Sequence, residues 1–372
     1  MSGETHTLKR ISPWLYSGFF LSGLASPIVA ALSPELQLRH HLSTARVGLY
    51  FTVLFFASFV SAAIANRNAV FSLRAGFISL ALGVLLLLSP AYALSVIGAV
   101  LIGVAIGFIN PATNGVCAYG GGTGSDLISL NLVWSLGFVF STMLFHHFGT
   151  VAKTGPSVIA FAAALHAMYW LLRAPVKSSG SGRATPRWRF EILFALALFL
   201  YVGAENGVAS WTKLLVARPG DEFWPGFALI GFSVAMLVGR LVSPWWLERH
   251  RGRETAMLYC SLAVGASCAL LISVCRVQKL DVALVTLAGL SIAPLFPLIV
   301  FRFSQVVAQQ RSWAYCTSGL GASFVPALMG VMAEATGIAW TYVLPCVALV
   351  GVAVIMRSVP RTGDPPHLRS IP

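Results

Sequence analysis

Apolar stretches long enough to cross a lipid bilayer recur twelve times along this chain, and no other feature constrains its fold as tightly. An α-helix rises 1.5 Å per residue, so about 20 residues cross a ~30 Å hydrocarbon layer. A helix also satisfies its backbone N–H and C=O groups within its own segment, as lipid requires. The predicted spans are 11–32, 47–65, 69–89, 91–114, 127–146 and 156–172, then 192–216, 224–246, 255–275, 282–301, 313–333 and 340–356. Composition agrees. The 372 residues are 57% hydrophobic and only 10% charged, against about 25% charged in soluble domains. The first run is too long for a signal-peptide core and no small-residue cleavage site follows it, so it reads as the first spanning helix. The prediction is an all-α membrane protein of twelve transmembrane helices in two pseudo-symmetric six-helix bundles.

The +13 net charge is not a nucleic-acid footprint, because the basic residues sit in short loops between apolar runs. Of the 25 Lys and Arg, 17 fall on the side that holds both termini and 7 on the other, while Arg240 lies inside a span. That bias predicts cytoplasmic termini in a cell membrane, with a bacterial inner membrane the expected setting. Residues 173–189 form one distinct linker, flexible by its Ser-Ser-Gly-Ser-Gly composition and rich in Lys and Arg. It divides the chain into an amino-terminal bundle (1–172) and a carboxy-terminal bundle (190–372).

The two halves echo each other. Leu15-Tyr16-Ser17-Gly18 matches Leu200-Tyr201-Val202-Gly203; Gly103, Ile106 and Pro111 recur as Gly289, Ile292 and Pro297; Leu136-Gly137 recurs as Leu320-Gly321. The near-constant offset in corresponding spans argues for a duplicated six-helix unit.

Polar residues inside the spans are the candidate site. Asn110 and Asn114 share one face of the fourth span, near Pro111, and Asn131 and Trp134 lie a turn apart in the fifth. Amides facing lipid are costly, so they face a cavity or bond a neighbouring helix, and both readings stay open. Glu205 is the one acidic residue deep within a predicted span, with Tyr201 one turn away and Asn206 beside it. A carboxyl at that depth is neutral, paired or solvated in a cavity. Glu205 is therefore the candidate proton carrier. Its alternative is a structural carboxyl bonded to another helix.

The loop after span eight reads Leu247-Glu248-Arg249-His250-Arg251-Gly252-Arg253, preceded one helix earlier by Gly239-Arg240. It resembles the acidic-Arg-x-x-Gly-Arg signature of the major facilitator superfamily. The corresponding first-half loop has Asn66-Arg67 without the acid or the glycine. The Asn-containing fourth span, the Leu130-Asn131-Leu132 of the fifth and the Tyr-Val-Gly-Ala-Glu run at 201–205 resemble the fucose/proton symporter branch. That branch carries a protonatable Glu in the fourth helix, where this chain has Asn110.

The resemblance implies alternating access between two six-helix bundles. Asn66, Arg67, Arg240, Glu248, Arg249 and Arg253 would form a cytoplasmic gate, and Tyr16, Asn110, Asn114, Asn131, Trp134, Tyr201 and Asn206 would line the solute site, with Glu205 coupling protons. Aromatic faces with amides suit a neutral, sugar-like solute. Transport of a small organic solute by a monomer in the bilayer is the expected function. A proton-driven exporter of lipophilic compounds and a non-transporting receptor of the same fold are its rivals.

Enzyme, cofactor and metal readings find no support. Gly120–Gly124 lacks the Lys-Ser/Thr of a P-loop, His146 and His147 point apart on a helix, and the six cysteines form no CxxC pair.

Overall fold

The computed structural model describes residues 13–65, 69–119, 124–147, 154–172, 188–218, 223–250, 252–275, 277–304 and 312–359. Every regular element among them is helical. We number them by span. The first six are α1 (two segments, Pro13–Ala25 and Ile28–Arg39), α2 (Thr44–Ala65), α3 (Ala69–Leu87), α4 (Tyr92–Tyr119), α5 (Gly124–His147) and α6 (Thr154–Leu171). The second six are α7 (Trp188–Val216), α8 (Phe223–Arg249), α9 (Glu254–Val274), α10 (Gln278–Ile292 and Leu295–Ser304), α11 (Ser312–Thr336) and α12 (Val343–Arg357), the last entered through a 3-10 turn, Ile338–Tyr342. Among the described residues ten candidate membrane spans are long and apolar enough to cross, and α5 and α6 add the shorter apolar stretches Leu130–Phe145 and Ser157–Leu171. The twelve helices match the twelve predicted spans. Most of the 173–189 linker, together with Asn66 and Arg67 of the first-half loop, lies outside the described residues.

The boundaries shift for identifiable reasons. Hydropathy ends span one at residue 32, yet α1 runs to Arg39 with Pro34 inside its second segment. A helix-end ion pair between Glu35 and Arg39 supports that extra turn, and Arg39 Nη1 donates to the Leu88 carbonyl at 2.9 Å. The true interruption lies earlier, at Ser26-Pro27, because Pro27 has no N–H to continue the ladder. Helical bonding resumes on both sides, with Ser26 N donating to Ser22 O at 3.1 Å and Ala31 N to Pro27 O at 2.7 Å. Pro294 breaks α10 in the same way, and Leu298 N then donates to Pro294 O at 3.2 Å. The seventh helix starts at Trp188, inside the predicted linker, with Glu191 in its first turn, where the helix dipole favours an acid.

The chain forms two compact units, Met1–Ser181 and Gly182–Pro372. Within the first, α1 packs on α5, α2 on α4, and α3 on both α4 and α6. Within the second, α7 packs on α11, α8 on α10, and α9 on both α10 and α12. The pairing is one pattern used twice. Lipid tails are as apolar as leucine, so membrane helices associate through close packing of small residues and not through the hydrophobic effect. The repeated glycines permit that approach. A Cβ on Gly137 would sit 2.2 Å from the Phe20 carbonyl oxygen, and one on Gly321 would sit 1.9 Å from that of Phe199. Outward-facing positions such as Phe71, Phe161, Val331 and Val347 are more than half exposed, an apolar surface suited to lipid.

Gly321→Ala tests this packing. Helix propensity alone predicts a gain of about 1 kcal/mol, whereas a Cβ driven into a backbone carbonyl costs on the order of 3 kcal/mol. Thermal unfolding in detergent is expected to show net destabilisation. The control Gly351→Ala, whose Cβ would meet only the end of Leu200 at 2.9 Å, is expected to be tolerated.

Candidate functional site

Three residues converge inside the carboxy-terminal unit. Glu205 lies in the middle of α7 and Arg240 in α8, two turns from its end, and Arg240 Nη2 approaches Glu205 Oε1 at 3.4 Å. Their side chains are 14% and 18% exposed. Tyr201, one turn before Glu205, is fully buried and interacts electrostatically with both charges. Its hydroxyl donates to the Ile292 carbonyl at 3.3 Å, at the end of the first segment of α10, and its ring lies 6.2 Å from Phe296 in the second segment. The cluster thus joins α7, α8 and the broken α10. Of the three fates open to a deep carboxyl, Glu205 takes pairing. A lone Arg or Asp at mid-bilayer costs about 2.5–3.5 kcal/mol on insertion scales, and each charge here relieves that cost for the other.

Sequence reasoning groups Arg240 with the loop cations. The helix carries it instead to Glu205, a pairing that such reasoning misses. The signal is present, since the second half contains one acid and one base deep in its predicted spans. Asn206 points elsewhere, its Nδ2 donating to the Val202 carbonyl at 2.9 Å within α7.

The amino-terminal candidates are more dispersed. Ser22 Oγ donates to Asn110 Oδ1 at 2.5 Å, which joins α1 to α4 close to the Pro27 break. Asn114 Nδ2 donates to the Asn110 carbonyl at 2.9 Å, so it serves its own helix. Asn131 and Trp134 are half-buried on α5. The Trp134 backbone forms the surface against which Gly23 packs, and its ring lies 5.6 Å from Phe138. Tyr16 is half-buried on α1. The bond from Ser22 realises the helix-to-helix alternative for Asn110.

The motif after α8 also has a physical account. Glu248 and Arg249 belong to the last turn of the helix and not to a loop, because α8 continues to Arg249. The Arg249 guanidinium sits 4.0 Å over the Trp245 ring. Gly252 has φ +81°, a left-handed turn that favours glycine, and Arg253 follows as the first flank of α9. Among the described residues no ion pair joins Glu248 to Arg249 or Arg253.

Two further acids escape the sequence reasoning. Glu191 and Asp281 are 3% and 1% exposed. Both fall just outside the predicted spans, and the longer helices bury them. Asp281 lies in the electrostatic surroundings of the fully buried Tyr342, whose hydroxyl donates to the Val208 carbonyl at 3.3 Å.

Comparison with known structures fits this architecture. The E. coli fucose:proton symporter FucP superimposes with a TM-score of 0.65 at 18% identity, covering 94% of this chain and 98% of that one. A second FucP structure, in an outward conformation, gives 0.66 at 18% identity over the same shares. The human organic anion transporter MFSD10 gives 0.70 at 15% identity, covering 94% of this chain and 99% of that one. This chain has the major facilitator fold. No family model matches its sequence, and no curated protein sequence matches it. The fold expected from the loop motif and the duplicated halves is therefore the fold observed.

Removing one member of the ion pair leaves the other charge buried. Arg240→Met is expected to lower stability by about 3 kcal/mol. The double variant Glu205→Gln/Arg240→Met is expected to recover most of that loss. Unfolding of the three proteins in one detergent measures the coupling, and additive losses would show that the two charges do not interact.

Proposed function

We propose that this chain is a secondary transporter that moves a small organic solute across a cell membrane by alternating access, with protons as the coupling ion. The observation that carries the reading is the Glu205–Arg240–Tyr201 cluster, a charged group held inside the helices of a fold whose compared members are solute carriers. Intramembrane charges mark ion and substrate pathways far more often than they serve stability. Protonating Glu205 would cancel its charge and release Arg240. Such a change can bias a helix bundle between two packings.

A hydroxylated, sugar-like solute is the preferred substrate class. The support is the set of half-buried amides and rings at Tyr16, Asn110, Asn131 and Trp134, together with the fucose for which FucP is named. The excess of Lys and Arg on one side supports cytoplasmic termini, and with them a cytoplasmic place for residues 173–189. Glu248, Arg249 and Arg253 would then stand at the inner face as gate residues. The chain would work as a monomer in the lipid bilayer, in a bacterial inner membrane.

Purified protein in liposomes, given a panel of labelled neutral sugars including L-fucose and a set of organic anions, tests the reading. Uptake of at least one neutral sugar is expected to rise with an inwardly directed proton gradient, and Glu205→Gln is expected to lower that gradient-driven component at least about tenfold. Gradient-driven uptake that persists intact in Glu205→Gln would remove Glu205 from the proton pathway. Absence of flux for every solute would favour a receptor.

A further inference from the structure

The buried polar side chains of the amino-terminal unit are, among the described residues, serines, threonines and one histidine. That histidine, His166 in the last third of α6, is 7% exposed. It belongs neither to the candidate solute site nor to the proposed coupling mechanism. We infer that His166 is a proton-binding site of the amino-terminal unit, built to keep its imidazole hydrogen-bonded in both the neutral and the protonated state while it ties α6 to α1.

The geometry fixes the tautomer. His166 Nδ1 lies 2.9 Å from the Ala162 carbonyl oxygen, which can only accept, so Nδ1 carries a hydrogen. Nε2 lies 2.9 Å from Ser17 Oγ on α1, and that hydroxyl lies 3.0 Å from the Pro13 carbonyl. In the neutral ring Nε2 is an acceptor, and the Ser17 hydroxyl donates to it. When a proton from water adds to the Nε2 lone pair, Nε2–H becomes a donor to Ser17 Oγ, and the hydroxyl hydrogen rotates to the Pro13 carbonyl. Every donor keeps an acceptor in both states, and no heavy atom has to move. A hydroxyl is the side-chain group that can make this exchange, because it donates and accepts.

Two aromatic rings pack against the imidazole. From α1, the Trp14 ring lies 5.0 Å from the imidazole in an edge arrangement, and from α3, Phe77 lies 5.1 Å away. Tyr169 of α6 stacks on the far partner, with its ring 4.3 Å from Trp14. Of the charged groups on the packed elements, Glu35 and Arg39 pair with each other at the far end of α1, and the remaining one is Arg74 of α3. Its Nε donates to the Trp170 carbonyl at 2.7 Å and its Nη2 to that of Leu171 at 3.3 Å, so its charge is directed to the end of α6. Ser17 lies within the first two turns of α1 and is exposed on the surface of the unit. If the chain is a proton-driven carrier, His166 provides a protonatable group separate from Glu205, and that use alone rests on the transport reading.

The test needs no solute. The full chain, labelled with nitrogen-15 histidine and held in lipid nanodiscs, is followed by side-chain magnetic resonance from pH 8.5 to pH 5. One imidazole, missing in His166→Gln, is expected to retain Nδ1–H throughout and to gain Nε2–H reversibly as pH falls. Ser17→Ala, a small change on an exposed residue, removes the acceptor of the new bond and is expected to lower the protonated fraction at pH 6 several-fold. A His166 ring that stays neutral at pH 5, or a titration indifferent to Ser17→Ala, would overturn the inference. Both readouts are independent of transport, so a chain that moves no sugar in liposomes would still give them.

Discussion

Glu205 and Arg240 meet where neither could stand alone. Lipid offers no water to solvate an isolated carboxylate or guanidinium, so each charge on α7 and α8 depends on the other for a tolerable setting. Tyr201 is buried beside the pair and anchored to the end of the first segment of α10. The break at Pro294 lies two residues beyond that anchor, so a polar cluster and a weak point in a helix occur together. A structure that placed its charges for stability alone would have little reason to set them beside an interruption.

The rest of each unit is held by proximity instead of charge. Gly137 and Gly321 let backbones touch in the pairs α1–α5 and α7–α11, and Gly103 and Gly289 do so in α2–α4 and α8–α10. These glycines occupy equivalent places in the two halves because the same helix pairs must approach equally closely in both. The sequence repeat is therefore a record of a packing requirement. Pro27 and Pro294 depart from the correspondence, since they interrupt α1 and α10, whose counterparts in the other half are α7 and α4; each broken helix contributes to a candidate site.

The number and order of helices are legible because lipid writes a simple signal, a run of apolar residues about 20 long. Their ends are not. Helices that carry Glu35, Glu191 or Asp281 continue past the apolar run when a polar side chain finds a partner or a helix-dipole position, and hydropathy cannot show that partner. Glu205 stands out because it is alone in its run. Arg240 is equally visible but falls to the wrong neighbours, since pairing across helices is a tertiary fact. Asn110 is singled out by its place in a span, while its partner Ser22 carries no signal that distinguishes it from any other serine in a membrane helix. His166 is invisible for the same reason: one histidine on an apolar face has no partner until α1 brings Ser17 to it.

The central claim is that an ionised carboxylate and a guanidinium share the interior of the carboxy-terminal unit. Infrared spectroscopy of the chain in lipid, with carbon-13 glutamate and Glu205→Gln as the subtraction partner, reads that carboxyl directly. The account predicts that the difference spectrum at neutral pH contains the paired stretches of an ionised carboxylate, and that these are altered by Arg240→Met. A protonated carbonyl stretch from Glu205 in the resting protein, unchanged by loss of Arg240, would contradict it.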